Sequence, residues 1–140
     1  MTAKEYLSRA YNLRRSIATQ EIRLEELRTQ AEHITADING MPRGSGQSSP
    51  VERIAVQIAD LSMELELDWL DLIQYQEDIS KTINAVSDPI LNQILSLRYL
   101  SYKPWSEIAD TLHYTIGHTF KLHRKALGKV DVILNDSSLS

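Results

Sequence analysis

Lys121, Arg124 and Lys125 follow closely on Thr115, Ile116, Gly117 and His118, and Lys103 and Ser106 stand a short way upstream. These residue types suit nucleic acid. Cations neutralise phosphates, hydroxyls and helix-opening amides position them, and the first turns of a helix reach base edges. In such a helix Ile116 would touch a thymine methyl and His118 or Lys121 a guanine acceptor, with Lys103 and Ser106 on backbone phosphates. The charge distribution agrees. Arg98 to Val130 holds six cations against Glu107 and Asp110, a surplus of four, which leaves −8 on the remainder of a chain whose net charge is −4.

Other chemistries find little to work with. The chain has no cysteine, hence no disulfide, thiolate zinc site or cysteine nucleophile, and a reducing cytoplasm is the expected setting. His113, His118 and His123 are spaced by five, which turns successive members away from any shared metal face. Glu64, Glu66, Asp68, Asp71, Glu77 and Asp78 crowd one region with no histidine or glycine-rich loop beside them, and read as a solvated acidic face with Asp68 as a buried exception. No phosphate-cradling loop, nucleophile elbow or zinc motif occurs. No catalytic residue, cofactor, metal or small-molecule substrate is therefore expected. Nor is a membrane partner, since no apolar run approaches the roughly 18 residues that span a bilayer and the N-terminus lacks a signal-like apolar core.

The elements that must position the cations follow from local pattern. Pro104 to Leu112 reads as a short helix, His113 to Thr115 as a three-residue turn, and Thr115 as the cap of a recognition helix over 115–130. Ile108, Ala109 and Leu112 form the inner face of the first helix, and Leu122, Ala126 and Leu127 anchor the second, leaving Lys121, Arg124 and Lys125 outward. Trp105 and Phe120 read first as core or interface aromatics and only second as stacking platforms. Gly117 weakens the first turn by about 1 kcal/mol relative to alanine, a cost with a use where backbone approaches DNA closely. Ser87-Asp88-Pro89 provides a polar N-cap followed by a proline at the first helical position, and opens a domain over 87–134 with a polar tail at 135–140.

Ahead of it, 1–86 reads as an antiparallel helical hairpin. Tyr6, Ala10, Leu13, Ile17, Gln20, Leu24, Leu27, Ala31, Ile34 and Ile38 make one heptad stripe; Ile54, Ile58, Leu61, Leu65, Asp68, Leu72, Tyr75, Ile79, Thr82 and Val86 make another. Pairing Ile38 with Ile54 matches every layer down to Tyr6 with Val86, and sets Gln20 and Asp68 in neighbouring layers. Asn39 to Pro50, rich in glycine, proline and serine, reads as the exposed connection. The second helix is apolar on both sides, with Val56, Met63, Leu67 and Leu70 on the far face and Trp69 and Ile73 between the two. That face is covered either by the C-terminal domain or by an oligomer or polymerase partner.

Leu97-Arg98-Tyr99, then Trp105-Ser106-Glu107-Ile108-Ala109, and Thr115 through Lys125-Ala126-Leu127 resemble region 4 of bacterial sigma factors, the module that reads the promoter −35 element. The match is gapless from about Pro104 to Val130. The whole layout, with Thr2-Ala3-Lys4-Glu5-Tyr6-Leu7, Tyr114-Thr115-Ile116 and Lys121-Leu122-His123, is similar to small phage and prophage proteins of Gram-positive bacteria, sigma-like regulators related to the RinA and ArpU activators of late phage genes. Where sigma-type recognition helices carry arginine and glutamate after the capping threonine, this chain has Ile116, Gly117 and His118, so the usual −35 contacts have no counterpart. Pro104 also stands where a capping threonine is common.

The expectation is an all-α protein, a long helical hairpin followed by a sigma region-4-like helix-turn-helix, acting as a DNA-binding transcription regulator in the bacterial cytoplasm. Double-stranded DNA is the expected partner, with host RNA polymerase as a second and a homodimer as the expected assembly. Two alternatives belong to other classes: a phage packaging protein like a small terminase subunit, and a polymerase-binding module without DNA readout.

Overall fold

The computed structural model describes residues 1–38 and 49–138. Most of the expected connection at 39–50, and the last two residues of the tail, lie outside them. Among the described residues the chain is all-α, with five helices and no strand: α1 Ala3–Ile38, α2 Pro50–Asn84, α3 Pro89–Tyr99, α4 Trp105–Leu112 and α5 Ile116–Ser138.

Local chemistry sets where these helices begin. Thr2 and Glu5 form a reciprocal capping box: the Glu5 amide donates to Thr2 Oγ1 at 3.1 Å and the Thr2 backbone nitrogen to Glu5 Oε2 at 3.0 Å. Ser49 caps α2 through its Oγ, which accepts from the Glu52 amide at 3.1 Å, with Pro50 as the first helical residue. Asp88 caps α3 as the sequence predicts, its Oδ1 accepting from the amides of Ile90 and Leu91, each at 3.0 Å.

The chain divides into two compact units, one formed by residues 1–13 with 72–140 and the other by 14–71. The division differs from the sequence reading at 86/87, because the ends of the two long helices carry core residues that belong with the C-terminal helices. In the first unit Leu7, Ile79, Ile83, Leu91, Ile94, Leu95, Ile108 and Val130 are fully buried. Truncating one such Leu or Ile to alanine costs ~2–5 kcal/mol. Polar ties complete this core: Asn92 Nδ2 donates to the carbonyls of Ile83 and Val86, the Ala3 amide to Asp131 Oδ1, and Gln76 Nε2 to the Tyr102 hydroxyl. The hydroxyls of Tyr6 and Thr82 lie 3.2 Å apart, where the single register of α1 and α2 puts them in adjoining layers.

In the second unit Ile17, Leu24, Leu27 and Leu65 are buried. Gln20 Nε2 donates to Asp68 Oδ2 at 2.9 Å, joining the two polar interruptions of the stripes. Gln20 Oε1 is buried with no partner. Such a pair favours one register over its neighbours, because sliding by a layer would leave both groups facing leucine. The Ile38 side chain, and with it the Ile38–Ile54 layer, falls outside the described residues.

One expectation is corrected here. α5 does not end near 130 or give way to a tail at 135; it is helical to Ser138, since 131–138 contains neither proline nor glycine to stop it. On the far face of α2, Val56, Met63, Leu67 and Leu70 are each exposed to between 59 and 64 %.

Candidate nucleic-acid interface

α4, a three-residue turn and α5 place the cations. Pro104 occupies the N-cap of α4 with no side-chain cap, and its carbonyl accepts from Glu107 and Ile108, each at 3.1 Å. α4 ends at His113, whose left-handed backbone (φ 59°) turns the chain, while the Tyr114 amide reaches back to the Ala109 carbonyl at 3.0 Å. A non-glycine residue in this conformation costs about 1 kcal/mol or more, offset here by closing the last carbonyls of α4. Thr115 then opens α5: its Oγ1 accepts from the His118 amide at 3.1 Å and its carbonyl from both the amide and hydroxyl of Thr119. Thr115→Ala is expected to cost ~1 kcal/mol, read as a lower urea midpoint with an unchanged m-value; no change would show that the cap contributes nothing to stability.

What holds α5 down differs from the sequence reading. Ala126 is buried as expected, but Leu122 and Leu127 are only half-buried, and the inner stripe is Thr119, His123, Ala126 and Val130. Steps of four, three and four keep these on one face. Thr119 carries no apolar signal in the sequence. His123, by its spacing, reads in the sequence only against metal ligation. Ile108 and Ala109 of α4 are buried as predicted, while Leu112 is half-buried.

His123 sits in a polar-aromatic cluster. Its Nε2 lies 2.7 Å from the Tyr99 hydroxyl, and the Trp105 ring meets it edge-on at 4.5 Å. Trp105 also packs edge-on against Phe120 at 5.3 Å, and the Arg98 guanidinium lies 4.7 Å over its other contact surface, the indole ring face. Arg98 donates to the Lys103 carbonyl at 3.0 Å, so this cation fixes the α3–α4 connection, although by composition it counts toward the basic surplus. Burial pushes the His123 ring down to about 4, helped by the positive charges of Lys4, Arg98 and Arg124. Burial raises Tyr99 to about 12 against the opposing charge of Arg98. At neutral pH the pair is uncharged, as a core polar pair must be.

The opposite face of α5 is cationic. Ile116, Gly117, His118, Lys121, Arg124, Lys125 and Lys129 are all exposed, and no aspartate or glutamate occurs from 111 to 130. Gly117 and Gly128, three helical turns apart, share this face with Lys121 between them, and a Cβ built on either meets nothing within 4 Å. Gly128 carries no signal in the sequence reading, whereas Lys129 belongs to its basic surplus. The His118 ring meets Tyr114 edge-on at 4.8 Å, which holds it beside the turn. Ser106 is exposed at the start of α4, while Lys103 pairs with Glu107 at 3.4 Å. Both partners of that pair are well exposed, so it holds Lys103 only weakly. The three histidines at 113, 118 and 123 lie at a turn, on the exposed face and in the core, and no group able to hold a metal occurs among the described residues. No described helix is long and apolar enough to cross a membrane.

No protein-family model, curated protein or solved structure matches this chain.

Proposed function

We propose that the chain is a sequence-specific DNA-binding transcription regulator of phage or prophage type, activating late gene expression, in which α4 and α5 act as a helix-turn-helix and α5 enters the major groove. One observation carries this reading: the acid-free, exposed cationic face of α5, opened by a capping threonine and interrupted by glycine where a base edge or phosphate would come closest. Ile116, Gly117, His118 and Lys121 occupy the base-facing turns, and Arg124, Lys125 and Lys129 follow the phosphates. Ser106, the first amides of α4 and Lys103 hold the backbone on the other side of the turn. A single module of this kind buries little DNA surface, so a second contact, to polymerase or to a second copy, supplies the remaining affinity.

The test uses the glycine. Side chains at Gly117 have open space in the free protein, so Gly117→Leu should fold normally yet clash with DNA brought against the helix. Fragments of the source genome are selected on the wild-type protein and on this variant. Enrichment of one upstream region by the wild type, lost with Gly117→Leu, is expected, with binding to that fragment weakened at least about tenfold, the effect of ~1.4 kcal/mol. No enrichment, or equal binding by the variant, would overturn α5 as the reading helix and favour packaging or a polymerase-only role.

A further inference from the structure

We infer that the outer face of α2 docks a basic amphipathic helix of another protein, rather than a second copy of this chain. Val56, Met63, Leu67 and Leu70 recur at steps of seven, four and three, so they form a single stripe roughly 20 Å long. All four are exposed, although Leu65 and Asp68 on the opposite side of the same helix are engaged with α1. The stripe is thus surplus to what holds its own unit together, and a contiguous exposed apolar face of this kind is the mark of an interaction site.

Its flanks say what fits. Asp60, Glu64, Glu66 and Asp71 border the stripe and are exposed. From 54 to 80 the chain holds seven carboxylates and neither lysine nor arginine. Two copies laid against each other along this face oppose acid to acid over most of its length, since between 54 and 80 neither lysine nor arginine is available to answer. Like charges at such flanking positions are destabilising and reject a partner. A helix with apolar residues at the same spacing and lysine or arginine beside them satisfies both the stripe and its borders. This inference stands on α2 alone and does not depend on what α5 binds.

The experiment uses the full chain and two labelled synthetic peptides that share one leucine pattern at seven-, four- and three-residue steps, one flanked by lysine and arginine, the other by glutamate. Fluorescence anisotropy gives their affinities. The variant combines Met63→Ser, Leu67→Ser and Leu70→Ser, and its helicity and melting temperature are compared with the wild type. The basic peptide should bind the wild type at least about tenfold more tightly than the acidic peptide, and the variant should lose that binding while remaining folded. Sedimentation equilibrium should find the wild type no larger than the variant. Equal binding of the basic peptide to both proteins, or no binding, would overturn the inference. So would a wild-type dimer that the serine variant converts to monomer, which would assign the face to a second copy.

Discussion

Changing Lys121, Arg124 and Lys125 together to alanine is expected to lower affinity for duplex DNA by roughly a hundredfold at moderate salt, and to flatten its salt dependence. The reasoning is ionic. Each cation that neutralises a phosphate releases counterions, and contributes about −0.9 to the slope of log affinity against log salt. With Lys103, Lys121, Arg124, Lys125 and Lys129 each on one phosphate the wild-type slope is about −4 to −5, and removing three contacts brings it to about −2. All three side chains are exposed on α5, so the variant's unfolding midpoint should stay close to the wild type's. The measurement is a titration at several salt concentrations on the enriched fragment and on an unrelated one. An unchanged slope would mean that phosphates are met elsewhere, and would move the functional reading to the interaction or packaging classes. The loss should be larger on the enriched fragment than on the unrelated one, since Arg124 and Lys125 hold phosphates without reading sequence while Lys121 also reaches a base edge.

Elements whose evidence is local were legible. Asp88 ahead of Pro89 and the capping role of Thr115 both rest on side chains bonding to backbone within three residues. The Gln20–Asp68 bond was legible for a different reason: two polar interruptions in otherwise apolar stripes become neighbours only in one register. Residues whose role depends on a partner distant in sequence were not legible. Arg98 looks like one more surface cation until its guanidinium is found over Trp105, and His123 looks like an outward polar residue until Tyr99, twenty-four positions earlier, is found against it. The inner stripe of α5 was misplaced by one position for the same reason. Leucines at 122 and 127 give a stronger hydropathy signal than Thr119 and His123, yet these two polar residues lie inward, His123 against the Tyr99 hydroxyl and Thr119 with its hydroxyl satisfied by the Thr115 carbonyl of its own helix. The Thr2–Glu5 capping box was present in the sequence as a short motif, but its reciprocal bonding became apparent only in the structure. The boundary at 86/87 was drawn from helix punctuation, whereas compact units follow side-chain burial.

The buried His123 makes the anchoring of α5 sensitive to acid. The folded-state value of about 4 lies below the ordinary value of 6.5, so between these limits the unfolded chain binds a proton that the folded chain refuses. The stability at stake is therefore fully present above pH 6.5 and is lost as the pH falls toward 4. A shift of this size corresponds to ~3 kcal/mol. The ring lines a small open cavity with Lys4, Ser8 and Arg98, where solvent screens part of its charge, so a loss of roughly half that is expected. Every charged group that acts on it, Lys4, Arg98 and Arg124, is positive, and its hydrogen-bond partner Tyr99 is neutral throughout this range. Nothing on those elements rescues the imidazolium. Urea unfolding of the wild type and of His123→Leu at half-unit steps from pH 7.5 to 4.5 separates this effect from the carboxylates, which titrate in both proteins. The variant loses the bond to Tyr99 and starts less stable, but the difference between the two proteins should shrink as the pH falls below 6.5. A difference that stays constant across the range would show that His123 accepts its proton in the folded state at no cost, and that burial at the heart of this cluster does not set its charge.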